Sequence, residues 1–195
     1  TIYMPEFAGA NVGGSSRISL SGDFSGSGLT LKLSGSAYMT GLSGKWDSAS
    51  INMAGASKAE CGAIKARALS VEASGAASLV FQSLSADRTG ASFSGAAVVK
   101  SPDFTSAELK MTASGGSTLN LSGNMTSVNA TLSGAASVTL SGSGQSLALT
   151  ASGGSSIKAK DLSMHDVSVS LSGAAKAVVD DERTKLEKKH DDDME

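Results

Sequence analysis

The sequence predicts an all-β protein: a right-handed parallel β-helix of about 20 residues per coil and eight to nine coils. Three observations carry this reading. Glycine recurs at a nearly constant interval: Gly35, Gly55, Gly75, Gly95, Gly115, Gly134, Gly153 and Gly173 are 20, 20, 20, 20, 19, 19 and 20 residues apart. The residues two, four and six before each glycine are apolar apart from Thr89, while those between them are mostly polar. Small residues crowd the glycine on both sides, as in Ser74-Gly75-Ala76-Ala77 and Ser133-Gly134-Ala135-Ala136.

The period marks a solenoid, in which each repeat buries its apolar face only by stacking on its neighbours. The alternation marks strands with one face inside. Leu29, Leu31 and Leu33 open the series; Leu69, Val71 and Ala73, then Val128, Ala130 and Leu132, continue it. The interleaved positions include Lys32, Asn52, Glu72, Thr112, Thr131, Thr150 and Ser170. A second apolar column lies four residues past the glycine, as at Met39, Leu79, Leu119 and Ile157. A third lies nine past it, at Ile64, Leu84, Phe104 and Leu162. Three short strands per repeat then close a triangular coil, and stacked coils sit about 4.8 Å apart. The right hand follows from the chirality of parallel crossover connections.

The corners follow from the same geometry. A sharp bend between strands favours positive φ, which glycine adopts without steric cost. The small residue just past it (Ala56, Ala76, Ala96, Gly116, Ala135, Gly154, Ala174) reads as a packed column where two faces converge and only a methyl fits. The serine before it can hydrogen-bond the turn backbone. A flexible Ser-Gly linker would have no reason to keep the flanking Leu and Val in phase.

Taken in order, residues 1–13 form a lead-in or N-terminal cap, with Pro5 as an early breaker. Gly14, 21 residues before Gly35, reads as a degenerate first corner. The β-helix domain spans 14–179. Residues 180–195 lose the alternation and become a charged tail, either solvated or folded back as a cap over the last strand edge. The chain starts at Thr1, so the expectation is a trimmed start, with any signal peptide or lipid anchor upstream.

Composition narrows the function classes. Net charge is −2, with +2 over residues 1–179 and −4 over 180–195, so no nucleic-acid partner is expected. No apolar run is long enough to span a membrane, which leaves membrane attachment only to an anchor not present in this chain. The one cysteine, Cys61, allows neither an internal disulfide nor a thiolate metal cluster. The two histidines, His165 in a coil bend and His190 in the tail, lack a nucleophile elbow nearby. His190 precedes three aspartates, but an acidic run of that kind is ordinarily solvated. No cofactor, metal or catalytic residue is expected.

A polysaccharide-cleaving β-helix would need carboxylates on neighbouring coils. Asp103 and Asp161 share a column three coils apart, as do Glu108 and Asp166. Asp47, Arg67 and Asp87 occupy one column on consecutive coils and read as a structural ladder of alternating charge. Aromatics make up only 4% of the chain. Tyr38 and Trp46 fall in one early coil, forming either a small aromatic binding patch or a cover over the first coils.

The Leu-Ser-Gly-Ala-Ala corners, the run Ala-Ser-Gly-Gly-Ser-Ser-Ile-Lys-Ala-Lys-Asp-Leu at 151–162 and the run Asp-Val-Ser-Val-Ser-Leu-Ser-Gly-Ala-Ala-Lys at 166–176 resemble the head GIN domain, a family of auto-transporter adhesins common in Bacteroidetes. Met4-Pro5 is similar to the family's lead into its repeats. The resemblance covers residues 4–179; the charged tail and the missing front portion depart from it. It implies a right-handed parallel β-helix, export to the periplasm, cell surface or medium, and adhesion. The family carries no catalytic residues to transfer.

The expected function is therefore an exported, non-catalytic binding, adhesion or scaffold module. Its partner would be a glycan or a cell-surface protein, with self-association open. The competing reading is a carbohydrate-binding or pectinase-like β-helix. The candidate binding surface is the hydroxyl column Thr112, Thr131, Thr150 and Ser170, with Asn129 and Ser168 beside it, together with Tyr38 and Trp46.

Overall fold

In the computed structural model, residues 6–159 and 161–179 are described. They form a parallel β-solenoid without helices. The first coils contribute β1 (Gly9–Val12), β2 (Arg17–Ser19) and β3 (Asp23–Leu33). Five full coils follow: β4 (Tyr38–Met53), β5 (Lys58–Ala73), β6 (Ser78–Phe93), β7 (Val98–Ala113) and β8 (Thr118–Leu132). The later coils break into β9 (Ser137–Ser143), β10 (Ser146–Ala151), β11 (Ser156–Ala159), β12 (Leu162–Ser163), β13 (Asp166–Leu171) and β14 (Lys176–Val179). Each strand pairs in parallel with its copy one coil away, as in Leu69↔Thr89 and Leu109↔Val128. Tyr38 through Thr40 of β4 pair with β2 on the preceding coil. Gly14 is a true corner, with φ +65, and Ser36 N–H donates to its carbonyl at 2.8 Å.

The full coils do not split into three short strands. Each runs 15 or 16 residues through two bends without leaving the ladder. The three faces are nonetheless present in the burial pattern. Between Gly75 and Gly95 the inward side chains are Ala77, Leu79, Phe81, Leu84, Ala86, Thr89, Ala91 and Phe93. Inward positions are two apart within a face and three apart across each bend. A bend that adds one residue to the alternation turns the chain while keeping coil-to-coil hydrogen bonds, so no strand break is needed.

In these five full coils, only the Ser-Gly corner separates one strand from the next. Gly55, Gly75, Gly95 and Gly115 hold φ between +67 and +72. A Cβ on Gly95 would sit 2.7 Å from the Gly75 carbonyl oxygen of the coil below. The corner thus requires glycine twice, for its backbone angle and for the approach of stacked coils. The next residue's N–H, as in Ala96, bonds the same carbonyl at 2.7 Å.

The packed methyl column is displaced from its expected position. Ala56, Ala76, Ala96, Gly116, Ala135, Gly154 and Ala174 are exposed. The residue after each is the one inside: Ala37, Ser57, Ala77, Ala97, Ser117 and Ala136 are wholly buried. The exposed residue is the second central residue of the turn, so its side chain points away from the stack. Ser117 and Ser155 turn their hydroxyls back to the carbonyls of Ser114 and Ser152, at 3.0 and 2.8 Å.

The interior is one continuous column of apolar side chains from Phe7 to Met164. Each fully buried Leu, Ile or Phe contributes about 1.5–3 kcal/mol. Thr89 and Ser106 are buried polar residues of the middle coils; their hydroxyls meet at 3.1 Å, and Ser106 in turn donates to the Glu108 carbonyl at 2.9 Å. The coils after Gly115 and Gly134 are one residue shorter, and the residue is lost at the first bend. There Phe104 stacks against Gly123 and then Gly142. A Cβ on Gly123 would lie 2.0 Å from the Phe104 carbonyl oxygen, so the tightened bend excludes any side chain.

Candidate binding surface

The third face of the coil leads into the Ser-Gly corner. Its inward residues anchor the core, and the ladder register aligns its outward residues into straight columns. One column runs through nine consecutive coils: Asn11, Lys32, Asn52, Glu72, Ser92, Thr112, Thr131, Thr150 and Ser170. The hydroxyls of Thr112, Thr131, Thr150 and Ser170 therefore do stand on successive rungs, all exposed. Asn129 and Ser168 lie in the adjacent column, separated by Ala148.

The two halves of the column differ in relief. Where its side chains are long, they wall a shallow groove of about 600 Å³. Lys32, Asn52 and Glu72 face Ser34, Ser74 and Ser94 across it, and Ala54 leaves a gap in the serine wall. Beyond Ser92 the column narrows to Thr and Ser and the face is flat. This groove escapes a reading that weighs residues singly; its signal is the run of long side chains at one register position on four successive coils.

Tyr38 and Trp46 are not a shared aromatic patch. Trp46 is buried, 1% exposed, and its indole Nε1–H donates to the Phe7 carbonyl at 3.0 Å. The inward spacing lengthens from two to three between Met39 and Leu42, and the phase set there turns position 46 inward. Its stacked neighbours Gly26 and Ala66 are small and leave room for the ring. Trp46 thus packs the early coils beside Phe7 and Phe24, whose rings are 5.5 Å apart.

Tyr38 stays half-exposed on the first face, in a small polar cluster. Its hydroxyl donates to Glu60 at 3.0 Å, and Lys58 pairs with Glu60 at 2.6 Å. The Arg17 guanidinium and Lys58 ammonium lie over the ring, 4.9 and 5.5 Å from its centre. The hydrogen bond to Glu60 raises the Tyr38 phenol above its ordinary pKa, and the hydrogen bonds from Lys58 and Tyr38 hold Glu60 below the usual carboxylate range.

The other titratable groups are dispersed. Register places Glu108 and Asp166 three coils apart, about 14 Å. Asp103 accepts a hydrogen bond from Ser83 at 2.8 Å. Arg67 pairs with Asp47 at 3.3 Å, and Arg88 with Glu108 at 3.7 Å. Asp87 lies in the Asp47–Arg67 column, but among the described residues it closes no ion pair, so the ladder is a pair and not a triplet. His165 sits exposed in the bend before β13, its backbone N–H bonded to the Gln145 carbonyl at 3.0 Å. Cys61 is buried inside the first bend, where desolvation pushes its pKa up to about 12 and keeps it a neutral thiol. No group of three or more His, Cys, Asp or Glu is placed to hold a metal among the described residues. His190 and the acidic run after it lie outside the described residues.

No curated protein and no solved structure gave a significant match to this chain. One family model matches it twice, over residues 1–100 and 89–184, under the description "putative auto-transporter adhesin, head GIN domain". The two matches together span the repeat array, including every column described above. The chain belongs to the head GIN domain family.

Proposed function

We propose that the protein is an exported, non-catalytic binding module at the cell surface, presenting the third face of its solenoid to a glycan or to another surface protein. Family and fold fit an adhesion or scaffold role at a surface. The observation that carries the reading is the unbroken polar column from Asn11 to Ser170 on a face whose backbone is held in the ladder. An evenly spaced set of hydroxyls and amides on a rigid sheet suits repeated weak contacts that sum along a polymer. Catalysis asks for a different construction, a concave and partly dry pocket with convergent perturbed groups. The shifted groups here are an exposed cluster at Tyr38 and an isolated buried thiol.

The test replaces Thr112, Thr131 and Thr150 together by Lys. These exposed positions tolerate the change, so the melting temperature should hold while attachment of the purified protein to glycan- or cell-coated surfaces falls at least tenfold. Attachment that survives the triple substitution moves binding off the hydroxyl half of the column. Release of oligosaccharides from any polysaccharide by the purified protein overturns the non-catalytic assignment.

A further inference from the structure

We infer that the groove walled by Lys32, Asn52 and Glu72 holds an extended, uncharged polysaccharide running along the solenoid axis, with one sugar unit per coil. The inference rests on the reading that the third face binds, and it names the site and the ligand class within that face.

The chemistry of the walls selects hydroxyl groups. Lys32 offers only donors, Glu72 only acceptors, Asn52 and Ser34, Ser92 and Ser94 offer both, and Ser74, whose hydroxyl donates to the Met53 carbonyl at 3.4 Å, offers an acceptor. A sugar hydroxyl donates and accepts, so it satisfies every one of them. Lys32 and Glu72 lie two coils apart, about 10 Å, with Asn52 between them. Neither makes an ion pair among the described residues, so both remain available to a ligand. Their charges cancel within the groove, which gives no net attraction for a polyanion and so disfavours nucleic acid or an acidic glycan.

The floor argues against a peptide. It is the backbone of Leu33, Met53 and Ala73, whose side chains point into the core. Their carbonyls accept from the N–H groups of Ala54, Ser74 and Ser94 on the next coil, each at 2.9 Å. A peptide that adds as a strand needs an unpaired sheet edge and pockets for alternate side chains. Here the main chain is already paired, and among the described residues the one apolar side chain at the groove mouth is the Ala54 methyl.

The spacing favours a polymer. Coils rise by about 4.8 Å, close to the advance of one pyranose unit in an extended chain. A glycan lying along the axis meets one side chain of the column per sugar, from Asn11 to Ser92, without losing register. Each contact is a solvent-exposed hydrogen bond of modest worth. Among the described residues, no aromatic ring lines the groove to stack on a sugar. Binding is therefore weak per unit and grows with chain length.

The test is native affinity electrophoresis in gels carrying soluble linear β-glucan, xylan or mannan, with polygalacturonate as the acidic comparator. At least one neutral polymer should retard the protein, and raising the salt concentration should not abolish the shift. The double variant Lys32→Ala/Glu72→Ala should weaken retardation at least tenfold. Ala54→Leu removes no polar group but fills the mouth, and should do the same. All three positions are exposed or at the surface, and unchanged melting checks that the fold is kept. Retardation that both variants retain overturns the inference. So does retardation by polygalacturonate alone, preferential capture of unstructured peptides, or no retardation by any neutral polymer. If Thr112→Lys/Thr131→Lys/Thr150→Lys abolishes binding while the groove variants keep it, the face binds but the groove is not the site: this inference falls and the broader reading stands.

Discussion

The Ser-Gly corner and the two ladder bends all turn the chain, yet they place different demands on sequence. At the corner the turn repeats on every coil, with the glycines stacked so closely that a Cβ on Gly115 would lie 2.7 Å from the Gly95 carbonyl oxygen. The conformation has positive φ throughout, so the sequence has one solution and repeats it. The bends vary from coil to coil, although a coil that puts glycine there closes down on it: a Cβ on Gly44 or Gly123 would lie 2.0 Å from a carbonyl oxygen of the coil below. One register position holds Phe24, Gly44, Ile64, Leu84, Phe104 and Gly123 in succession. Here the ladder continues through the turn, and the backbone adjusts to the side chain, or to its absence, coil by coil. A turn that breaks hydrogen bonding is specified by one residue type; a turn that keeps it is specified by packing.

The largest test of this contrast is Trp46, which fills the inside of a bend. Trp46→Ala removes a buried ring flanked by Gly26 and Ala66, neither of which can close the space. The expected cost is about 3–5 kcal/mol. Before unfolding, the wild-type indole should show blue-shifted emission and resist quenching by iodide. A loss below about 1 kcal/mol, or a freely quenched indole, would show that the bend carries no packing requirement.

The corner gives the next largest effect. Gly95→Val combines positive φ with a Cβ 2.7 Å from a backbone oxygen, for a cost of about 3 kcal/mol or more. Ala96→Val, one residue on and exposed, should change stability by no more than about 0.5 kcal/mol. Urea melts of the two variants compare them directly. Equal losses would mean that the exposed residue is as constrained as the glycine, and that the corner is not one residue wide.

This contrast also explains what was legible in the sequence. The coil length and the glycine corners stand out because stacking imposes register on every repeat. The alternation stands out wherever a face is straight, as at Leu29, Leu31 and Leu33. It fails across the bends, where inward spacing changes from two to three with no marker residue. Trp46 was therefore open between surface and core, although the small residues in phase with it, Ala66 and Ala86, pointed inward. At the corner, composition alone could not separate Ala76 from Ala77, both small and adjacent, one exposed and one buried. The hydroxyl column was legible in its register. The groove was not, because it arises from the relative lengths of side chains about 20 residues apart.

The smallest effect separates three serines in the buried corner column. Ser117 and Ser155 each donate to a carbonyl in their own turn, at 3.0 and 2.8 Å. Ser57 occupies the equivalent place, 0% exposed, and its hydroxyl has no partner among the described residues. Its neighbours along the column, Ala37 and Ala77, show that a methyl fits there. A buried hydroxyl without a partner carries its desolvation cost uncompensated, whereas a bonded one recovers it. Ser57→Ala should therefore stabilise the protein, by about 1 kcal/mol. Ser117→Ala and Ser155→Ala, which delete a made hydrogen bond, should be neutral or destabilising by up to about 1.5 kcal/mol. Measured together by chemical denaturation, the three variants differ only in whether the hydroxyl is bonded. A Ser57→Ala variant that melts earlier than wild type would show that the column needs the hydroxyl itself, and that its smallness is not the whole of the corner's demand.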